Sequence, residues 1–337
     1  MKPHAESGLA QLLVTGGAGY VGSHTLRALR RAGHVAVVLD DLRAGRAASV
    51  EGATLVRADV GDAAALAETL RRHGPFAGVL HFAGSIEVAE SVRNPLAFHR
   101  NNVTASLTLL EACLAAGVRT VVFSSSAAVY GNAPVSPIPE DAPLAPLSPY
   151  GSGKAMVERA LAEVGAAHGL RWAALRYFNA AGADPAGGLG ECHAPETHLI
   201  PLALRAAAGT GPPLRLFGTD WATRDGSCER DFVHVADLAD AHVLALEGLL
   251  GGGPGGAFNL GAGAGRSVRE VLLEAERVVG RPVPVEPAPR RAGDPAVLVA
   301  DTGRFRRAYG WEPRRSDLAT IVGTAWAWEQ ERAGAGL

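Results

Sequence analysis

Cysteine is scarce in this chain. Cys113, Cys192 and Cys228 are the only three, an odd and widely spaced set that does not read as a disulfide framework. Cys113 falls in an apolar helical pattern and reads as a small core residue. Cys192 and Cys228 lie in loop-like segments and take no role. An excess of charge of one sign is also missing: 32 Lys and Arg stand against 34 Asp and Glu, a net charge of -2. That excludes a basic surface for nucleic acid, and no like-charge run suggests a tail. No apolar run is long enough to span a bilayer. Met1 to Ala10 lack the basic-then-apolar order of a secretory leader. The expected compartment is the cytoplasm. There is no internal repeat.

What is present is apolar and finely segmented. Hydrophobic residues make up 47% of 337, enough for two domains or one large α/β body with a substrate-binding appendage. Short apolar runs at Gln11–Thr15, Val35–Leu39, Thr54–Ala58, Gly78–Phe82, Thr120–Ser124 and Trp172–Tyr177 read as buried strands. Helical patterns at Val21–Ala32, Ala63–Arg72, Pro95–Ala116 and Pro149–His168 lie between them. This alternation predicts right-handed βαβ units and a parallel, doubly wound, Rossmann-type sheet with helices on both faces. After Phe178 the texture changes. Asn179–Thr197 is rich in Gly, Ala and Pro without a period, and Gly251–Gly256 reads as a tolerant surface loop. A further strand is expected at Ala257–Leu260. The expected organisation is a dinucleotide domain over residues 1–178, with the stretch around 230–262 returning to it. A smaller α/β substrate-binding domain then covers 179–337, with the site in the cleft between the two.

Thr15-Gly16-Gly17-Ala18-Gly19-Tyr20-Val21-Gly22 joins the first strand to the first helix. The chain must turn sharply there, bring amides close to a pyrophosphate and pack the helix on the sheet, and side chains would obstruct each step. The helix N-terminus offers unpaired N–H donors to phosphate. Alone such a string is a tight turn; between strand and helix it points to a dinucleotide. Asp40 ends the second strand, where an acid can hold the ribose 2′-OH and repel a 2′-phosphate, favouring NAD over NADP. Asp41 follows directly, and the sequence leaves open which of the two faces the ribose. Asp59, followed by Val60, ends the third strand and could contact the adenine edge; its other reading is a helix cap, a role that suits Asp62 better.

Tyr150 and Lys154 are four apart at the start of a helical segment, hence on one face. A lysine ammonium beside a phenol lowers the phenol pKa, and the tyrosine can then exchange a proton with a sugar hydroxyl near neutral pH. One hydroxyl of Ser124-Ser125-Ser126, at a strand end on the same side of the sheet, can hold the reacting oxygen. Tyr-x-x-x-Lys alone is a chance pattern; behind a dinucleotide loop and a strand-end serine cluster, chance is a poor explanation.

The segments VTGGAGYVGSHT (14–25), HFAGSIEVAESV (81–92), FSSSAAVYG (123–131), SPYGSGKAMVE (148–158), LRYFNAAGADP (175–185), ERDFVHVADLADAH (229–242) and APRRAGDPA (288–296) together resemble the extended short-chain dehydrogenase/reductase family. Within it they resemble the UDP-glucose 4-epimerase group, over about Leu12 to Trp328. The resemblance implies an isomerase of carbohydrate and galactose metabolism that holds NAD tightly and passes hydride from the sugar C4 to it and back. A transient 4-keto sugar would link UDP-glucose and UDP-galactose. It implies that Tyr150 moves the 4-OH proton, Lys154 tunes Tyr150 and contacts the nicotinamide ribose, and Ser126 is the hydrogen-bonding serine. Phe82, Ala83, Gly84, Asn101, Tyr177 and Phe178 match cofactor-contacting positions. A homodimer through the segments Pro95–Ala116 and Pro149–His168 is also implied.

On the substrate side, an amide at Asn179 can bind a diphosphate or sugar oxygen. Arg230, Arg291 and Asp294 resemble UDP-contacting residues. Two guanidinium forks suit a diphosphate, although alone these arginines, like Arg290, would read as surface cations. Leu199 and Phe217 could line the uracil slot, or be plain core. His198 stands where a common family version has asparagine and can still donate to phosphate. Glu191-Cys192-His193 with His198 matches no strong zinc spacing, so no metal is expected. Leu298 falls at a position lining the sugar pocket, and its intermediate size opens UDP-GlcNAc as a substrate. A UDP-pentose 4-epimerase and a catalytically inactive NAD-binding sensor are the other readings. A dTDP-glucose 4,6-dehydratase would need carboxylates where Ala127 and Ala128 stand.

Overall fold

The computed structural model describes residues 10–291 and 294–335. Residues 1–9 of the Met1 to Ala10 stretch, and Ala292 and Gly293 of the 288–296 motif, lie outside the described residues. The strands are β1 (Gln11–Thr15), β2 (Val35–Asp40), β3 (Thr54–Arg57), β4 (Gly78–His81), β5 (Thr120–Ser126), β6 (Arg171–Tyr177), β7 (Asn179–Ala181), β8 (Leu214–Phe217), β9 (Glu229–His234), β10 (Gly256–Leu260), β11 (Gly265–Ser267), β12 (Val285–Ala288) and β13 (Val297–Leu298). The α-helices are α1 (Tyr20–Arg31), α2 (Ala63–His73), α3 (Val88–Arg93), α4 (Pro95–Phe98), α5 (Ala105–Ala115), α6 (Pro149–His168), α7 (Leu199–Ala208), α8 (Val235–Leu250), α9 (Val268–Val279), α10 (Gly303–Tyr309) and α11 (Leu318–Gly334).

Seven strands form one parallel sheet in the order β10-β6-β5-β4-β1-β2-β3. Neighbouring residues of one strand serve different layers, as strand geometry requires. Leu12, Val14, Val38 and Val122 pack into one core with Leu26, Leu29, Leu238 and Leu246 of α1 and α8. Leu13, Val37, Val121 and Phe123 pack into the other with Leu66, Leu109 and Leu161 of α2, α5 and α6. Burial on both faces explains the unbroken Val and Leu runs. The strand order turns back between β1 and β4, and a crevice opens there beyond the carboxyl ends.

A smaller part is built on β9, which pairs with β7 and β13 in parallel and with β11 antiparallel, while β8 pairs with β12. Its core joins α7, α9 and α11 through Ile200, Leu204, Val271, Leu272, Ile321 and Val322. Within residues 230–262, β9 belongs to this part, whereas α8 and β10 lie on the large sheet.

Three local expectations change. The single helix expected over Pro95–Ala116 is interrupted by a π-helical stretch at His99–Thr104. The Asn102 side chain pins the widened turn to Ser85, accepting from its N–H and donating to its carbonyl, both at 2.8 Å. The first three residues of Asn179–Thr197 form β7, because they pair with Phe232–His234. Gly256, expected in a loop, opens β10.

Candidate active site in the interdomain cleft

A cleft of about 1490 Å³ runs from the glycine loop, past the ends of β4 and β5, to the strands and loops of the smaller part. One drug-sized ligand fills ~300–1,000 Å³, so this volume suits a dinucleotide together with a second nucleotide. Every proposed cofactor, catalytic and substrate residue lines it: Gly16, Gly19, Tyr20, Val21, Gly22, Asp40, Asp41, Asp59, Val60, Phe82, Ala83, Gly84, Asn101, Ser124, Ser126, Tyr150, Tyr177, Phe178, Asn179, His198, Leu199, Phe217, Arg230, Arg291, Asp294 and Leu298. The exception is Lys154, which lies buried behind Ser124.

The glycine loop does what its spacing demands. Gly16 adopts a positive φ of 71°, and a Cβ on Gly22 would meet the Gly16 carbonyl at 2.3 Å. A Cβ on Gly19 would meet nothing closer than 3.4 Å. Gly19 caps α1 without a side-chain bond, so the first amides of a twelve-residue helix face the cleft with no side-chain acceptor. These features fit a dinucleotide pyrophosphate.

Asp40 and Asp41 separate. The Asp40 carboxylate accepts from Ala18 N–H at 2.9 Å and Leu42 N–H at 2.8 Å, at the base of the glycine loop. Burial pushes its pKa up, against those two bonds. Asp41 accepts from the Arg43 N–H and pairs with the Arg43 guanidinium. Asp40 is therefore the acid held against the loop. Asp59 accepts from Gly61 N–H and pairs with Arg43 at 2.9 Å, leaving the α2 cap to Asp62. Arg43, not singled out from the sequence, also donates to Asn101, so one side chain bridges three cleft residues.

The residues expected to be catalytic sit where β5, β6 and the first turn of α6 converge. Ser148 caps α6, accepting from Gly151 N–H at 3.2 Å, and Ser91 accepts from Tyr150 N–H. The Ser126 side chain faces the Tyr150 phenol and pulls its pKa down. The Lys154 ammonium donates to the Ser124 carbonyl at 2.7 Å and lies 5.8 Å from the Tyr150 ring centre. Ser124 Oγ bonds Tyr177 OH at 2.5 Å. The expectation that Lys154 lowers the Tyr150 pKa is not met in the protein by itself. Burial pushes the phenol up, and only the Ser126 side chain pulls against it. Burial also pushes Lys154 down to about 8, against the pull of Glu158.

Beneath these residues lies a network that sequence reasoning missed. Arg176 pairs with Glu158, both side chains almost fully buried, and donates to Tyr130 at 2.8 Å. Ser125 donates to the same carboxylate, and Tyr130 donates to Asn259 at 2.7 Å. The bonds tie α6 to β5, β6 and β10. Only the fold brings such distant residues together, so no local spacing announces them.

The substrate side is looser. Arg291 lies over the Phe217 ring, 3.8 Å from its centre, and Arg215 lies 5.0 Å from the same centre. Arg230 donates to the Pro295 carbonyl at 2.9 Å and lies 3.8 Å from Asp294. Leu298 sits beside Arg230 across the β9–β13 pairing. Arg290 is turned away, bound to Asp220 at 2.8 Å and stacked on Trp221.

The segment to which the sequence assigns no metal and no role beyond His198 gathers four side chains. Glu191 accepts from His193 at 3.0 Å and also bonds His198. Burial alone would lower both histidines; their bonds to Glu191 and Glu196 overcome it and push His193 up to about 9 and His198 to about 10. His198 also ends at the N-terminus of α7.

Comparison with known proteins agrees with this geometry. Residues 12–261 match the family described as NAD dependent epimerase/dehydratase. A UDP-glucose 4-epimerase of Azospirillum brasilense is 54% identical over 321 residues, 95% of this chain and 92% of that protein. The crystal structure of UDP-glucose 4-epimerase from Brucella ovis in complex with NAD is similar at 46% identity and a TM-score of 0.92, covering 94% of this chain and 98% of that one. The UDP-glucose-4-epimerase structure from Stenotrophomonas maltophila, with bound NAD and formylated UDP-arabinopyranose, is similar at 40% identity and a TM-score of 0.93, covering 97% and 99%. The chain is a member of the NAD-dependent epimerase/dehydratase family, on the extended short-chain dehydrogenase/reductase fold.

Proposed function

We propose that this chain is an NAD-dependent UDP-glucose 4-epimerase, interconverting UDP-glucose and UDP-galactose through a transient 4-keto sugar. The observation that carries the reading is the continuity of one cleft. The Ser126–Tyr150 pair, with Lys154 behind it, and the Arg230–Arg291–Phe217 group line the same space. NAD, when bound, supplies the acceptor for the C4 hydride and gives it back. The chain does the rest. Tyr150 takes the proton of the sugar 4-OH and later returns one, while Ser126 holds the reacting oxygen beside it. Lys154 places a positive charge under the strand that carries Ser124 and favours the phenolate once the proton has moved. Phe217 offers its ring to the uracil, and Arg230, Arg291, His198 and Asn179 offer donors to the diphosphate. Asp294 and Leu199 close that pocket.

The proposed division of labour assigns NAD to residues 1–178 together with α8 and β10, and the UDP-sugar to the remaining residues from 179 onward. Exposed apolar side chains on α3 to α6, namely Val92, Leu96, Leu107 and Met156, support a homodimer through these helices. Three free thiols suit the cytoplasm, and no helix among the described residues is long and apolar enough to cross a membrane. Leu298 favours a second, overlapping reading in which N-acetylated UDP-sugars or UDP-pentoses are also turned over. Incubation with UDP-glucose, UDP-GlcNAc and UDP-xylose, followed by separation of C4 epimers, tests both. UDP-galactose must form. If UDP-GlcNAc returns unchanged, Leu298 does not open the pocket. NAD binding without turnover of any UDP-sugar would make the chain a sensor.

A further inference from the structure

Lys154 is the one charged member of the proposed proton-transfer group, and it is buried at 5% exposure. Its ammonium donates to the Ser124 carbonyl at 2.7 Å and lies 4.8 Å from the Phe123 ring centre and 5.8 Å from that of Tyr150. None of these partners is an anion at neutral pH, since burial pushes the Tyr150 phenol up. The titratable groups packed nearby on other strands supply no anion either. His81 on β4 is held neutral by burial, with a pKa of about 3, and burial also pushes the Tyr177 phenol on β6 up. Glu158 is the exception. It stands one turn after Lys154 on the same buried face of α6, also at 5% exposure. Its charge pulls Lys154 up against burial.

We propose that Glu158 is a positioning residue of the active site: its carboxylate, fixed by Arg176 and Ser125, holds the Lys154 side chain as an ammonium beneath Tyr150. The inference rests on the functional reading above and deepens it. The carboxylate is tied down on both oxygens. Each accepts from Arg176 Nε at 3.0 Å, and one also accepts from the Ser125 hydroxyl; a buried charge needs such donors. Arg176 is fixed in turn by bonds to Tyr130 at 2.8 Å and to the Glu140 carbonyl at 3.0 Å. Ser125 lies between Ser124, whose carbonyl holds Lys154, and Ser126, which faces the phenol. One carboxylate therefore anchors the strand end that carries both and supplies the negative charge that the dry ammonium needs. An uncharged lysine would leave the phenolate without its counter-charge, and proton transfer would slow.

The chain has two lysines, Lys2 and Lys154, so the charge on Lys154 can be read directly. The full chain with NAD bound, its lysines labelled with carbon-13 at Cε, is titrated by NMR, and Lys154→Met assigns the signal. The parental midpoint is expected near 8. Glu158→Gln should lower it by about 1 pH unit or more. The alkaline limb of kcat for UDP-glucose should move down with it, at little changed KM. Glu158→Asp, which keeps the charge, should hold the midpoint closer to the parental value. An unmoved midpoint in Glu158→Gln, or one that falls as far in Glu158→Asp, makes the carboxylate only a staple between α6 and β6 and overturns the proposal. Should Glu158→Gln fail to fold, Glu158→Gln combined with Arg176→Gln removes both charges of the pair and must show the same fall. The NMR midpoint needs no substrate. Failure to turn over UDP-glucose would therefore sink the functional reading, while the midpoint still decides on Glu158.

Discussion

The two walls of the cleft are built differently. The wall to which we assign hydride and proton transfer rests on the ends of β1, β4, β5 and β6 and on the first turn of a twenty-residue helix. Its charges are few and buried, Arg176 paired with Glu158 and Lys154 held on the Ser124 carbonyl. The wall to which we assign the nucleotide sugar is made of strands two to six residues long and the loops between them. Its charges include Asp294, more than a third exposed, which Arg230 reaches only at 3.8 Å. The difference teaches where each part of the function resides. In the proposed function, bond making requires fixed, dry geometry and falls to the sheet, while substrate identity falls to side chains that a loop can re-aim.

Four substitutions break or sharpen that contrast. The largest effect is expected at Tyr150→Phe, with kcat falling about 10³-fold while NAD stays bound; near-parental turnover would remove Tyr150 from proton transfer. Arg291→Ala should act on the other wall, raising KM for the UDP-sugar about 10- to 100-fold with little change in kcat. A collapse of kcat at constant KM would put Arg291 in the chemistry.

Lys154→Met probes the cost of the dry wall. With the folded pKa near 8 and the unfolded value higher, the unfolded chain holds one more proton between those limits, so stability rises with pH across that window. Below pH 8 the folded protein carries the full burden of the buried charge. Lys154→Met should therefore be inactive yet more stable than its parent at pH 7, by about 1–3 kcal/mol. The gap should close as the pH approaches 10. Urea melts at the two pH values check it, and a less stable variant at pH 7 would mean that the bond to Ser124 outweighs burial. The smallest effect is Asp40→Ala, which should shift the NAD over NADP preference several-fold, about 1 kcal/mol. An unchanged ratio would pass the ribose role to Asp41.

The same contrast governs what could be read from the chain. β1 matched its expected bounds, and the α2, α6 and glycine-loop expectations matched within a residue, because buried parallel strands and capped helices write their period and punctuation locally. Tyr150 and Lys154 were visible for the same reason, being one turn apart. The π stretch at His99–Thr104 was not, since its cause is a pair of bonds to Ser85, seventeen residues from Asn102. Nor was the direction of the Tyr150 pKa, which is set by the burial that only the fold produces. Arg43 carried no signal in the sequence, and only the convergence of Asp41, Asp59 and Asn101 gives it a place. Glu191, His193, Glu196 and His198 follow no familiar ligand spacing, and a loop without a period had to fold before they met.

The central claim is that hydride leaves and returns to the same sugar carbon. UDP-glucose deuterated at C4, incubated with the NAD-loaded protein and analysed by mass spectrometry, tests it directly. The account predicts UDP-galactose with the deuterium still at C4 and no accumulation of NADH. Stoichiometric NADH without the epimer, or an epimer that has lost its label to solvent, would contradict it.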